Sequence, residues 1–201
     1  MEAVDGTSGY SGDRRVRRTR RLLAEALISL VLERGYEEVT VREITGRADV
    51  GYATFFRHYP GKDALLEEVL EVVLDDLLQL LGPAQAEGQA AVGASLFRYV
   101  QENAEVCRVL LGDGASPALV RRMVETGTSN VLGQNVPSGV GGENYQNEPV
   151  PAEIAAHHLV VSSIALIRWW LERGMPYPPE RMGGIYRDLI EHPTRNAAFE
   201  T

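Results

Sequence analysis

A single cysteine, Cys107, stands among 201 residues. That excludes a disulfide framework and any zinc site built from several thiolates. Apolar runs are short: none reaches the roughly 18 residues that a bilayer span needs, so no membrane segment is expected. Residues 1–13 are rich in Gly and Ser around no apolar centre and do not read as a secretory signal. No repeat of solenoid period occurs, and no useful stretch alternates with period two, which speaks against repeat arrays and against a sheet. A Gly-rich phosphate loop, a G-x-S-x-G elbow and an H-E-x-x-H pair are all missing. No catalytic residue and no cofactor are therefore expected. What is there is 44% hydrophobic and 24% charged, the balance of a globular, soluble and cytoplasmic protein of one ordinary domain or two small ones.

The net charge of −8 would speak against nucleic acid if it were evenly spread. It is not. Arg14 to Lys62 carry 11 Lys/Arg against 6 Asp/Glu, whereas residues 63–201 carry 9 against 19. Such asymmetry describes a small basic module joined to a larger acidic body.

Helical spacing dominates the chain. Leu22, Leu23, Ala26, Leu27, Leu30 and Val31 mark one face of a first helix, which Gly35 stops. Thr40, with Glu43 three residues on, reads as a capping box opening a short second helix that ends near Ala48. Asp49-Val50-Gly51 is a tight turn. A third helix from Tyr52 to His58 must end before Pro60. A long fourth helix opens at Lys62 and Asp63 and is expected to break at Gly82-Pro83. Further helices are expected at 89–102, 103–112, 116–126, 152–173 and 179–191, with a long loop over Gly127–Val150. The ends, 1–13 and 192–201, read as disordered. The predicted fold class is all-α: an N-terminal three-helix helix-turn-helix head over 14–61 and a larger C-terminal helical bundle over 62–191.

In a helix-turn-helix the second short helix enters the DNA major groove. Arg14, Arg15, Arg17, Arg18, Arg20 and Arg21 place six guanidinium groups ahead of the first helix face, a phosphate-binding arm. Arg42, in the first turn of the second helix, is expected at a phosphate. Tyr52 and Ala53 open the third helix, where side chains reach base edges. The segments GYEEVTVREI (35–44), ADVGYATFFRHY (48–59) and KDAL (62–65) resemble the tetracycline-repressor (TetR) family of transcription regulators. The resemblance covers about fifty residues. It implies a homodimer on double-stranded DNA, with a body that binds a small-molecule effector, most often a repressor on a palindromic operator. It also implies that Thr54, His58 and Lys62 touch phosphate. Asp49, Gly51, Ala53 and Phe56 depart from the family pattern of Gly, Ser, Gly and Tyr, so the target sequence stays open.

In the body, the apolar circumference of the helix at 152–173 predicts burial on several sides, including a partner subunit. Ile164, Ile167 and Trp170, with Ile185 and Leu189 on the next helix, are the expected dimer interface. Phe97, Val100, Cys107, Leu110, Met123 and His158 are candidates for the lining of an effector cavity. His157 and His158 are adjacent and diverge by about a hundred degrees on a helix, so they cannot clamp one metal ion. A helical protein-interaction adaptor and an all-α enzyme lacking familiar motifs stay open as other readings.

Overall fold

Gly35 adopts φ +86°, the left-handed conformation that ends a helix, and its N–H closes on Val31 O at 2.8 Å. In the computed structural model it terminates α1 (Ser8–Arg34), the first of a series of helices. The structure describes residues 8–87, 89–112, 115–135 and 150–198, and no strand occurs among them. The chain divides into two compact units, one up to Glu71 and one from Val72. The boundary expected at 61/62, where α4 (Lys62–Glu87) begins, lies instead between Glu71 and Val72, so α4 has residues in both units.

In the first unit α1 is followed by α2 (Val41–Arg47) and α3 (Tyr52–His58). Leu23, Ala26, Leu27 and Leu30 of α1 close on Ile44, Phe55, Leu65 and Leu66, all at most 4% exposed. Burying this many large side chains, at about 1.5–3 kcal/mol each, is what holds so small a unit together. The turn before α3 holds Asp49 at φ +52°, a conformation that Asp tolerates better than most residues with a Cβ.

The second unit contains the rest of α4, α5 (Gln89–Glu102), α6 (Ala104–Leu111), α7 (Pro117–Asn135), α8 (Ala152–Glu172) and α9 (Pro179–Tyr186). A π turn over Arg187–Glu191 leads from α9 into α10 (His192–Ala198). Trp170 of α8 is fully buried; its Nε1 donates to Tyr177 O at 3.0 Å, and its ring meets Phe97 edge-on at 5.3 Å. The indole N–H thus finds the partner that burial demands.

Four expectations of this layout are corrected. Pro83 does not break the fourth helix, which runs on to Glu87; Gly82 and Pro83 face solvent, so the carbonyl that loses its donor is left to water. The loop expected from Gly127 is helical to Asn135, and 136–149 lie outside the described residues. Gly127 is there for packing: a Cβ would come within 3.0 Å of Val160 Cγ1 on α8. Both ends expected to be disordered carry helix, over Ser8–Asp13 within α1 and over His192–Ala198, with Thr194 buried; 1–7 and 199–201 lie outside the described residues. Finally, α8 is long and apolar enough to cross a membrane by length and composition, where no such run was expected. Its apolar content follows from burial of Ala155, Ala156, Leu159, Ile167, Trp170 and Leu171 against the surrounding helices of the body.

Candidate nucleic-acid interface and body cavity

The capping box forms as spaced. Thr40 Oγ1 accepts from the Glu43 amide at 3.3 Å, and Glu43 Oε2 accepts from Thr40 N at 2.9 Å. These bonds, with Arg34 at 2.9 Å, hold the Glu43 carboxyl below its ordinary range. Arg47 ties α2 to α1 through a two-pronged contact with Glu33, at 2.8 and 3.0 Å, and through Ser29 Oγ at 2.7 Å. Hydrogen bonding to Arg47 likewise lowers the Glu33 carboxyl. The geometry is the fork-to-fork pairing that fixes orientation as well as distance. These bonds set α2 against α1, and with it the turn that aims α3.

On α3, Phe55 is fully buried and packs 5.6 Å from the Tyr59 ring. That contact turns Tyr52, Ala53, Phe56 and Arg57 outward. Tyr52 is 53% and Phe56 46% exposed, and their rings meet edge-on at 5.0 Å. Such an aromatic pair left in water on a short helix is unusual for a surface without a partner. Thr54 is half-buried and accepts from Arg57 Nη2 at 2.7 Å; His58 is half-buried beside the Tyr59 ring. Arg57 and Phe56 were not among the expected contacts. Their spacing from Tyr52 and Ala53, at i+4 in each case, was the available signal.

Arg14, Arg15, Arg17 and Arg18 are all exposed, within α1 and not on a separate arm. Arg17 pairs with Asp13 at 3.0 Å, Arg20 with Glu68 and Arg21 with Glu25 at 3.5 Å. Arg14, Arg15, Arg18 and Arg42 have no ion-pair partner among the described residues and are free to meet phosphate.

Lys62, expected at a phosphate, is placed otherwise. Its ammonium donates to Tyr36 O at 2.9 Å, Val39 O at 2.9 Å and Glu37 O at 3.3 Å, and lies 4.4 Å from the centre of the Tyr36 ring. A lysine has three N–H donors, and all three are spent on the loop between α1 and α2. Tyr36 in turn donates its hydroxyl to Asp63 Oδ1. Lys62→Met should therefore destabilise the first unit by about 1–3 kcal/mol, because three carbonyls lose a charged donor. Amide hydrogen exchange should show faster exchange over residues 36–41; unchanged protection there would contradict this placement.

The second unit holds a partly open cavity of about 430 Å³, within the ordinary range of small-molecule sites. Five residues of α4 from Val73 to Leu81 line one side, and Val92, Leu96, Leu111, Val131, Leu159, Val160, Ile164 and Ile167 continue the apolar wall. Of the expected lining residues, Val100, Cys107, Leu110 and Met123 are there. Burial pushes the Cys107 thiol up to about 11, so it is a small apolar lining group and not a nucleophile. Phe97 is not; it is fully buried against Trp170 and Tyr186. His158 is not either, being exposed on α8 with its Nδ1 3.4 Å from Ser162 Oγ.

The polar part of the lining was not anticipated: Thr126, Asn130, Ser163, Tyr186, Glu191 and Arg195. The π turn brings Glu191 there. An i→i+5 turn stacks residues five apart, here Tyr186 and Glu191, and the His192 N–H bonds to Arg187 O across it. Arg195 then follows one α-helical turn beyond Glu191, at 2.6 Å.

Among the expected interface residues, Ile167 (6% exposed) and Trp170 are closed inside one chain and belong to its core. Ile164 faces the cavity. Ile185 is half-buried and Leu189 is 70% exposed. Ile154 (61%) and Val161 (40%) of α8, seven residues apart, share one exposed face with His158 and Ala165.

A family model for bacterial regulatory proteins of the tetR family matches residues 23–69, and one for a transcriptional regulator C-terminal region matches residues 92–192. The HTH-type transcriptional regulator YxbF of Bacillus subtilis is 25% identical over 187 residues, 89% of this chain and 46% of that protein. The HTH-type transcriptional repressor KstR2 of Rhodococcus jostii is 37% identical over 74 residues, 37% of this chain and 33% of that protein. The chain thus spans less than half the length of these two curated relatives. A TetR transcriptional regulator from Streptococcus agalactiae has the same fold, with a TM-score of 0.62 and 22% identity over 91% of this chain and 99% of that one. With the first match falling on the buried and capped head and the second on the helices around the cavity, the chain belongs to the tetR family of bacterial regulatory proteins.

Proposed function

We infer that the protein is a cytoplasmic DNA-binding transcription repressor that works as a homodimer on a near-palindromic operator and is released by a small apolar molecule. The observation that carries this reading is the outward face of α3, with Tyr52, Ala53, Phe56 and Arg57 exposed on a basic head whose own core is closed. In the major groove the aromatic pair and the Ala53 methyl suit thymine methyl groups, and Arg57 suits guanine or phosphate. Arg14, Arg15, Arg18 and Arg42 hold the backbone without reading sequence.

The partner is a second copy of the chain, docked on the apolar stripe of α8 and the following turn through Ile154, Val161, Ile185 and Leu189. Two-fold pairing then matches the two α3 helices to half-sites one or more helical turns apart. An effector in the body cavity releases DNA only by binding more tightly to the form that does not fit the operator.

Selection from random duplexes with the purified protein should return a near-palindrome, and light scattering at micromolar concentration should give twice the 22.1 kDa chain mass. Leu189→Asp should give folded monomers without operator binding. The side chain is exposed in one chain, so folding tolerates the change, while a carboxylate inside an interface costs several kcal/mol. A monomeric wild type, or a Leu189→Asp variant that is still a dimer, would refute the arrangement.

A further inference from the structure

Tyr186, the last residue of α9, lines the cavity and is only 6% exposed. Its ring is held in place. Phe97 meets it edge-on at 6.5 Å, and it sits against Gly93 of α5, where a Cβ would come within 3.1 Å of Tyr186 Cδ1. The hydroxyl at its tip makes no hydrogen bond of good geometry among the described residues. Ser163 of α8 stands beside it, but the Ser163 O–H is given to Leu159 O at 2.5 Å. The side-chain polar atoms sealed in without a hydrogen bond include Glu191 Oε2 but not Tyr186 Oη. The tyrosine hydroxyl therefore keeps accessible surface, and on a buried residue of the cavity wall that surface opens to the cavity. A donor placed on a mostly apolar wall is what orients a small molecule in such a site. A plain hydrocarbon pressed against it would exclude water from the O–H and offer no acceptor in return, which lowers affinity.

Charge narrows the acceptor. Burial and then the Glu191 carboxylate push the Tyr186 hydroxyl up to about 12, with Ser163 and Arg195 opposing less strongly, so it stays a neutral donor. The same negative bias disfavours a carboxylate at that hydroxyl. An alcohol would accept from Tyr186 but bring an O–H that needs an acceptor of its own. A carbonyl oxygen accepts and asks for nothing more. We propose that the effector of this protein is a mainly hydrocarbon molecule carrying a neutral carbonyl, a ketone or an ester, whose oxygen accepts from Tyr186 Oη. This rests on the reading of the cavity as an effector site and adds the chemical class of the effector to it.

The test uses four probes on the full-length protein by titration calorimetry: 2-nonanone, 2-nonanol, nonanoate and pentylbenzene. Each is titrated into the wild type and into Tyr186→Phe, which keeps the packed ring and removes only the O–H. Comparing one probe across the two proteins cancels the solvation of the probe. A neutral hydrogen bond corresponds to about three- to tenfold in affinity. The ketone should lose that much in the variant, whereas pentylbenzene, which has no acceptor, should bind the variant as well as or better than the wild type. A merely loosened cavity would weaken both. Should the variant fail to fold, isotope-edited infrared on the wild type decides: the C=O stretch of bound 2-nonanone should lie below its position in hexane, and a band at the hexane position overturns the hydrogen bond. Equal changes for ketone and pentylbenzene overturn the carbonyl assignment and leave the effector cavity standing. Nonanoate or 2-nonanol binding the wild type more tightly than the ketone overturns it in favour of an anionic or hydroxyl head. No binding by any probe overturns the effector cavity and this inference with it.

Discussion

Raising salt from 50 to 200 mM should weaken operator binding about a thousandfold or more. Besides Arg57 on α3, each head offers four exposed guanidinium groups on α1 and α2 with no ion-pair partner among the described residues, from Arg14, Arg15, Arg18 and Arg42. A dimer that sets six to eight of them on phosphates releases as many condensed counterions, giving a log–log slope of about −5 to −7. Arg17, Arg20 and Arg21 add little, since each already faces a carboxylate within 3.5 Å. Filter binding or fluorescence anisotropy across a salt series measures the slope directly, and a value near zero would refute phosphate-led binding.

Single substitutions divide that slope. Arg18→Ala should lower its magnitude by about two in the dimer, one per copy, and weaken all sequences alike. Lys62→Met should leave the slope unchanged, because its three donors serve carbonyls of the same chain. Tyr52→Ala should leave the slope nearly unchanged and alter the sequence selected. A slope that fell with Lys62→Met as it does with Arg18→Ala would place that lysine on DNA after all.

Much of the head is legible in the sequence because its signals are local. Gly35, the Thr40–Glu43 pair and the tight turn before Tyr52 each act over four residues, and each appears where the spacing puts it. Lys62 is different. Whether an ammonium faces phosphate or three carbonyls some 25 residues earlier depends on how α4 meets the α1–α2 loop, which no local pattern encodes. The body is less legible for the same reason. Gly127 reads as a helix breaker by composition, yet its lack of a Cβ lets α7 approach Val160. Pro193 reads as part of a disordered tail from His192. It stands instead just after a π turn, whose wider ladder suits a residue with no N–H to give. With that tail read as disorder, Arg195 could not be seen as part of a cavity wall.

Gly183→Val should unfold the body or cost it well over 3 kcal/mol, a large share of the 5–15 kcal/mol that holds a typical domain. At the crossing of α5 and α9 the two backbones touch. A Cβ on Gly183 would lie 2.5 Å from Ala94 N and 2.8 Å from Gly93 C, and one on Gly93 would lie 2.7 Å from Gly183 O. Backbone atoms of two packed helices cannot swing aside as a side-chain tip would, so the helices must part. Parting them opens the contacts of Phe97 and Met182, both fully buried, and forfeits dispersion and burial together. Even Gly183→Ala should be destabilising. Gly184→Ala next to it should stabilise by about 0.5–1 kcal/mol, since a Cβ there meets nothing within 4 Å and alanine suits a helix better than glycine. Both tryptophans, Trp169 and Trp170, lie in α8 of the body, so urea unfolding followed by their fluorescence reports on that unit. Opposite signs at two adjacent glycines are the expected result, and equal effects would contradict the backbone contact. The same crossing holds α9 in place just before Tyr186 and the π turn, so a partly folded Gly183→Ala variant should also bind cavity probes more weakly without any lining residue having changed.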